Sequence, residues 1–265
     1  MPWTVSHAAA VLPFCRWCPA RLSFIALVAG SMSPDLGYYL GLFRVAEFAH
    51  TVPGIVAVGL PAGLLMVATL RWLREPLVVL LPQPHRYVLR QRLASLAENV
   101  TWSRGMVLAV SLVLGAATHV AWDSFTHATG LPVERSEFLQ RELFRIGSRD
   151  VETYNFLQHA STLFGIVVLA IAYRSWLKSG VAASAPPPGA QDTLRWWLLG
   201  SIAVLGAATG AAWVAAGILR GDSDIQSLVV AAVFVASNLI AVIYLAAAFI
   251  WRCVQSGRRS GDDPG

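Results

Sequence analysis

Long apolar runs separated by short polar segments dominate this chain of 265 residues. Uncharged stretches occupy 51–70, 105–122, 153–173, 196–219 and 225–251. Each is close to the roughly 20 residues that a helix needs to cross a hydrocarbon core. A sixth run, 22–43, is interrupted by Asp35. The pattern predicts an all-α, polytopic helical membrane protein with about five full spans. Residues 6–15 and 22–32 lie on either side of Arg16 and Arg21. At 1.5 Å per residue each arm would be about 15–20 Å long, too short to span comfortably. They predict an N-terminal short-helix hairpin that enters the membrane and returns, with Pro34 breaking the returning helix before Asp35.

Composition agrees, with 56% hydrophobic and only 13% charged residues, outside the range of soluble globular chains. The net charge of +5 is therefore read as topology rather than as a nucleic-acid signal, and no nucleic-acid partner is expected. Six Arg fall in 71–104; Arg174, Lys178 and Arg195 flank the next connection on that side, and Arg252, Arg258 and Arg259 follow the last span. The alternate connections hold Arg44 alone and Arg220 alone, and the four Arg of 123–155 are offset by acidic residues. This alternation places 71–104 and the C-terminus in the cytoplasm, and His119, Asp123, His127 and His159 on the outer side. No basic n-region with an uninterrupted apolar core and a small-residue cleavage site opens the chain, so no cleaved leader is expected. Three cysteines give no disulfide framework, and Cys15-Arg-Trp-Cys18 is a lone pair, against a four-ligand structural zinc.

The organisation expected is a membrane-embedded unit at 1–178 that carries the site, a Pro/Ala-rich linker at 179–193, and a C-terminal transmembrane hairpin and tail at 194–265. Gly206, Ala207, Gly210 and Ala211 suit close helix packing, and Asp222 and Asp224 mark the turn. Residues 86–100 read as a basic amphipathic helix lying on an anionic membrane face. In 134–149, Phe138, Leu139, Leu143, Phe144 and Ile146 recur near helical spacing, as either a surface helix over the outer mouth or a solvated connector.

Candidate chemistry concentrates in 115–127, where His119, Asp123 and His127 follow at four-residue steps and share one helical face. Ionisable groups at membrane depth are costly and mark functional sites. His7, Asp35, His50 and His159 fall on the same side, giving seven candidate metal ligands. Imidazole and carboxylate without thiolate suit Zn²⁺, with Mn²⁺ or Fe²⁺ possible, in a centre of one or two ions. Asp35 and Asp123 can each share two oxygens between ions. The expected activity is hydrolysis of a phosphoester by a metal-activated water. The membrane bilayer is the expected partner and an amphiphilic phosphoester the expected substrate. The rival is a non-enzymatic protein: a metal or proton transporter in which the same residues line a path, or a structural scaffold. Asp35 after Ser33-Pro34 could instead cap a helix. His85 lies on the cytoplasmic side and reads as a snorkelled or hydrogen-bonded residue. Glu47, Glu134, Asp150 and Glu152 read as surface charges, from which one could serve as a general base.

Several motifs carry a resemblance: Pro2-Trp-Thr4-Val-Ser6-His7 with Val11-Leu12-Pro13, Gly30-Ser31-Met32-Ser33-Pro34-Asp35, His50 with Pro53-Gly54, His119-x-x-Trp122-Asp123-x-x-Thr126-His127, and Gln158-His159-x-Ser161. Over about residues 1–178 the chain resembles an uncharacterised bacterial membrane family, domain-of-unknown-function family 4184. That resemblance implies a bacterial inner-membrane protein and no particular reaction. More distantly, the order of His, Pro-Asp, His and His-x-x-x-Asp is similar to YdjM-like proteins, described as membrane-bound metal-dependent hydrolases. The zinc-dependent phospholipase C and single-strand nuclease superfamily has a similar order, which falls on His7, Asp35, His50, His119, Asp123, His127 and His159. That superfamily spaces its next His further from the Asp and has an acidic ligand where this chain has Leu163. Both departures favour one or two ions over three.

Overall fold

The computed structural model describes residues 3–18, 20–97, 101–146, 149–178, 184–221 and 225–261. The chain is predominantly helical, and five helices are long and apolar enough to cross a membrane: Val52–Val79, Trp102–Ser124, Thr153–Lys178, Ala190–Leu219 and Ser227–Gln255. Asp222 and Asp224 lie outside the described residues, as do 179–183 of the expected linker and 98–100 of the expected amphipathic helix.

The compact units do not follow chain order. Met1–Thr69 and Asn99–Trp176 form one; Leu70–Glu98 and Leu177–Gly265 form the other. The basic segment 70–98 groups with the C-terminal hairpin rather than with the rest of 1–178. Long-range hydrogen bonds explain this. The Tyr244 hydroxyl donates to the Leu77 carbonyl at 2.5 Å, and Arg252 donates to the Trp72 carbonyl at 2.7 Å. Asp192 is buried and accepts from the backbone N–H of Gln83 (3.2 Å) and Gly189 (2.9 Å) and from Arg195 (3.0 Å), with Arg86 at 3.6 Å. Within this unit Ala190–Leu219 and Ile225–Gly261 pack antiparallel. A Cβ on Gly206 would meet Ile240, one on Gly210 the Ala232 carbonyl, and one on Gly217 Leu228. Small residues let the two backbones approach.

In the first unit α1 (Thr4–Trp17), wound as a 3-10 helix, and α2 (Phe24–Met32) form the N-terminal hairpin. At about 2.0 Å per residue, His7 to Trp17 covers roughly 20 Å. The hairpin lies along α6 (Trp102–Ser124), whose stretch from Ser111 to Asp123 covers about 18 Å. It is pinned at its bend by the Ser23 N–H, which donates to the Ser111 hydroxyl at 2.9 Å, and by a core of Val11, Leu22 and Leu27 with Phe14, Trp17 and Leu114. Two glycines bring α2 and α6 into backbone contact. A Cβ on Gly30 would lie 2.2 Å from the Leu112 carbonyl oxygen, and one on Gly115 2.2 Å from that of Leu27.

Between the hairpin and α6 come α3 (Phe43–Ala49), α4 (Val52–Val79) and α5 (His85–Leu93), the last assigned to the second unit. Thr51 caps the start of α4 by accepting from the Gly54 N–H at 3.1 Å. The helix α7 (Thr153–Lys178) meets α1 through Trp3 N–H to Thr162 (3.2 Å) and through Gly165 against Ser6. Residues 134–149 form neither one surface helix nor a featureless connector. Short turns at Leu131–Glu134 and Glu137–Gln140 lead into an antiparallel pair, β1 (Glu142–Ile146) and β2 (Arg149–Glu152). Phe144 sits opposite the buried Val151 and Arg145 opposite Asp150, with which it forms an ion pair. Cross-strand pairing of an opposite charge and an apolar pair outweighs the helical spacing of Leu139 and Leu143.

Candidate metal centre

The last two turns of α6 present His119 and Asp123 from one face, the i,i+4 relation expected of them. Beside them the Ser33–Asp35 turn at the end of α2 delivers Asp35, and the residue after α3 is His50. Asp35, His50, His119 and Asp123 form a group whose ligating atoms all lie within 4.8 Å of one another and could hold a metal ion. Five separations are tighter. His50 Nε2 lies 3.2 Å from His119 Nε2, 3.3 Å from Asp35 Oδ1 and 3.4 Å from Asp123 Oδ2. His119 Nε2 lies 3.5 Å from Asp35 Oδ1 and 3.3 Å from Asp123 Oδ2. A regular tetrahedron with edges of about 3.3 Å has its centre about 2.0 Å from every corner, the length of a Zn–N or Zn–O bond.

The far sides of three of the four ligands are held. His50 Nδ1 is 2.7 Å from the Ala46 carbonyl and His119 Nδ1 is 2.7 Å from the Ser31 carbonyl, so both rings donate through Nδ1 and turn Nε2 inward. Two neutral rings in this tautomer would oppose lone pairs at 3.2 Å, an arrangement that requires a cation, whether a proton or a metal. Asp35 Oδ2 accepts from the Thr4 hydroxyl at 2.5 Å, and Thr4 accepts in turn from the Tyr39 hydroxyl at 3.0 Å. Partners of this kind fix the ring tautomer and orientation of metal ligands. With His50 and His119 neutral and protonated on Nδ1, Asp35 Oδ1, Asp123 Oδ1 and His7 Nε2 are buried without a hydrogen bond among the described residues. Buried unsatisfied acceptors are costly, so the donor set fits a divalent cation. Thr4→Val keeps the shape and removes the hydroxyl. It is expected to weaken zinc binding by roughly 10–100-fold, the usual effect of losing such a partner, as read by competition with a zinc chelator.

The other three expected ligands stand apart from the four. His7 is buried, stacks on His119 with ring centroids 3.8 Å apart, and brings Nε2 to 3.4 Å from Asp123 Oδ1. His127 bonds through Nδ1 to the Asp123 carbonyl at 3.0 Å, with Asp123 Oδ1 at 3.9 Å, while its Nε2 meets Gln158 Nε2 at 3.2 Å. His159 is exposed; its neighbour Gln158 is buried and is the residue of α7 that reaches the site. Thr4, Tyr39 and Gln158 were missed as functional candidates, although Thr4 and Gln158 lie inside the motifs quoted above.

Charge follows the geometry. Burial opposes protonation of His50, but hydrogen bonds to the Asp123 and Asp35 carboxylates and to Ala46 override it and raise the pKa to about 9. Burial, reinforced by the neighbouring His119, lowers His7 to about 3 and keeps it neutral. Burial alone would raise Asp35, yet the charge of His119 and hydrogen bonds from His119, His50 and Thr4 hold it well below the usual carboxylate range. Without metal, the facing His50 and His119 rings thus hold positive charge in the position of the cation.

A family described as domain of unknown function (DUF4184) matches residues 1–252. The chain belongs to this family. No curated protein and no solved structure shows a significant match. The match extends past the 1–178 region where the resemblance was read, so the DUF4184 family includes most of the C-terminal hairpin as well as the His/Asp group.

Proposed function

We propose that this protein is an integral-membrane, metal-dependent hydrolase of an amphiphilic phosphoester, with zinc bound by Asp35, His50, His119 and Asp123. The observation that supports the reading is the placement of four ligating atoms within 4.8 Å of one another, three of the ligands being held from the opposite side by Ala46, Ser31 and Thr4. With four protein ligands a divalent ion there would have to take a fifth position for water; so bound, the water would be acidified and the ion would neutralise phosphoryl charge. His7 and His127 flank the other oxygen of Asp123 and provide for a second ion or for orienting the substrate. The ligand order, similar to that of YdjM-like proteins, is consistent with this reading.

The approach to the site supports an amphiphile. Side chains of His50 and His127 are 19% and 29% exposed, against 7% or less for His7, Asp35, His119 and Asp123. The neighbouring segments expose Leu40, Phe43, Phe48 and Phe125, apolar groups suited to a lipid–water boundary. By the arginine distribution that boundary is the outer face of the inner membrane. A one-sided site also fits better than a transport path. From Gly105 to Thr118 the helix α6 offers no ionisable side chain that would continue the route.

The test is metal analysis of the full-length, detergent-purified protein by mass spectrometry, followed by zinc titration across pH. About one zinc per chain is expected from a single four-ligand site. Since imidazole binds zinc only when deprotonated, each zinc should release at least the His50 proton below pH 9, and apparent affinity should rise about tenfold per pH unit for each proton released. Absence of stoichiometric transition metal, with affinity flat from pH 6 to 9, would sink the reading.

A further inference from the structure

A second polar feature lies at the other end of the N-terminal hairpin, away from the His/Asp group. The bend is tied to Ser111, about 18 Å along α6 from Asp123 and about 14 Å from the opposite end at Trp102. With a hydrocarbon core about 30 Å thick, the bend stops inside the membrane. It carries Arg16 and Arg21, both exposed. No acidic residue occurs in 1–34 or in 101–122, and among the described residues no carboxylate pairs with either arginine. Arg16 covers the Trp17 ring at 4.1 Å, whereas Arg21 lines a groove of ≈ 310 Å³ formed with Phe14, Trp17, Leu22 and Leu114. The groove is at the lower end of ligand-site volumes, about 300–1,000 Å³, and its lining is almost wholly apolar, Arg21 being the one charged residue among the five that form it.

We propose that this groove holds an anionic phospholipid of the leaflet opposite the His/Asp group, with its phosphate on Arg21 and the start of an acyl chain against Phe14, Trp17, Leu22 and Leu114. Charge complementarity selects this occupant. An arginine at this depth is costly unless it reaches an anion, and a headgroup drawn inward supplies one. The guanidinium donates in a fixed fork that fits phosphate oxygens, while the apolar walls fit only the chain. A hairpin too short to span leaves room in that leaflet for a lipid. Two uncompensated positive charges favour a headgroup with net negative charge over a zwitterionic one. The site is independent of metal binding at the other end of the hairpin.

The test places the full-length protein in nanodiscs of phosphatidylcholine alone or mixed with phosphatidylglycerol, reading melting temperature and lipid retained by native mass spectrometry. Phosphatidylglycerol should raise the melting temperature of the wild type and remain bound in preference to phosphatidylcholine. Arg21→Gln should lose that increment and about tenfold of the bound phosphatidylglycerol, the size of one charge-assisted hydrogen bond, with melting in phosphatidylcholine unchanged. Arg21→Lys keeps the charge and should retain part of the effect. An equal fall of Arg21→Gln in both lipids would make the arginine merely structural and overturn the proposal. So would unchanged phosphatidylglycerol retention in Arg21→Gln, or no lipid preference in the wild type.

Discussion

Asp123→Asn is expected to leave the purified protein without its metal. Asn keeps the volume but removes the charge that Asp123 Oδ2 directs at His50 and His119 from 3.4 and 3.3 Å. Losing a ligand exceeds losing its supporting partner, so zinc affinity should fall by more than about 100-fold. Stability reports the same event. A metal present at 100 times its dissociation constant stabilises the folded state by about 2.7 kcal/mol, and that increment disappears in the variant. A chelator should therefore lower the melting temperature of the wild type and leave that of Asp123→Asn unmoved. His159→Ala is the informative companion, because the exposed His159 lies outside the four-residue group. It should keep full zinc content and the wild-type response to chelator. If Asp123→Asn retained stoichiometric zinc, or His159→Ala lost it, the four-ligand assignment would be wrong.

How much of this site was legible in the chain depended on what kind of signal each residue left. His119 and Asp123 were readable because four-residue spacing on an apolar helix fixes a shared face. Asp35 and His50 followed from chain order and from the arginine alternation that put them on the same side. His159 stands outside the four-residue group for a physical reason. The helix α7 is apolar nearly all round and its exposed residues alternate with half-buried ones, so no amphipathic stripe sets its rotational phase. A shift of one residue, about 100°, exchanges His159 for Gln158. The groups that aim the ligands were invisible for another reason. The carbonyls of Ala46 and Ser31 belong to the backbone, and a single Thr4 hydroxyl has no periodicity. At fold level, the five spans and the short hairpin followed from hydrophobic runs alone. The β1–β2 pair did not, because its five-residue strand can be read at either period. The grouping of 70–98 with the C-terminal hairpin depends on bonds such as Gln83 to Asp192, more than 100 residues apart, which local pattern cannot encode.

The hairpin's approach to α6 supplies the other large effect. Gly115→Ala should both destabilise the protein and strip its metal, although residue 115 is not itself a ligand. The added Cβ would lie 2.2 Å from the Leu27 carbonyl oxygen and 2.8 Å from the Ser31 N–H nitrogen, and both are backbone atoms that cannot rotate aside. Relief requires α2 and α6 to separate. That movement acts on the site directly, because Ser31 supplies the carbonyl that orients His119, one turn beyond residue 115, and α2 leads into Asp35. A shift of even 1 Å would lengthen the 2.7 Å bond to Ser31 and open the 3.5 Å separation between His119 and Asp35. Overpacking of a close contact costs about 1–3 kcal/mol, and a backbone obstruction on both sides of the crossing places this one at the upper end. Gly200→Ala, in the interior of Ala190–Leu219 with nothing within 4 Å of the new Cβ, provides the contrast. There the change should be neutral or stabilising by up to about 1 kcal/mol through helix propensity alone. Melting temperature and zinc content measured together decide the matter. Wild-type values for both in Gly115→Ala would mean that the glycine contact is not what holds the two halves of the site in register.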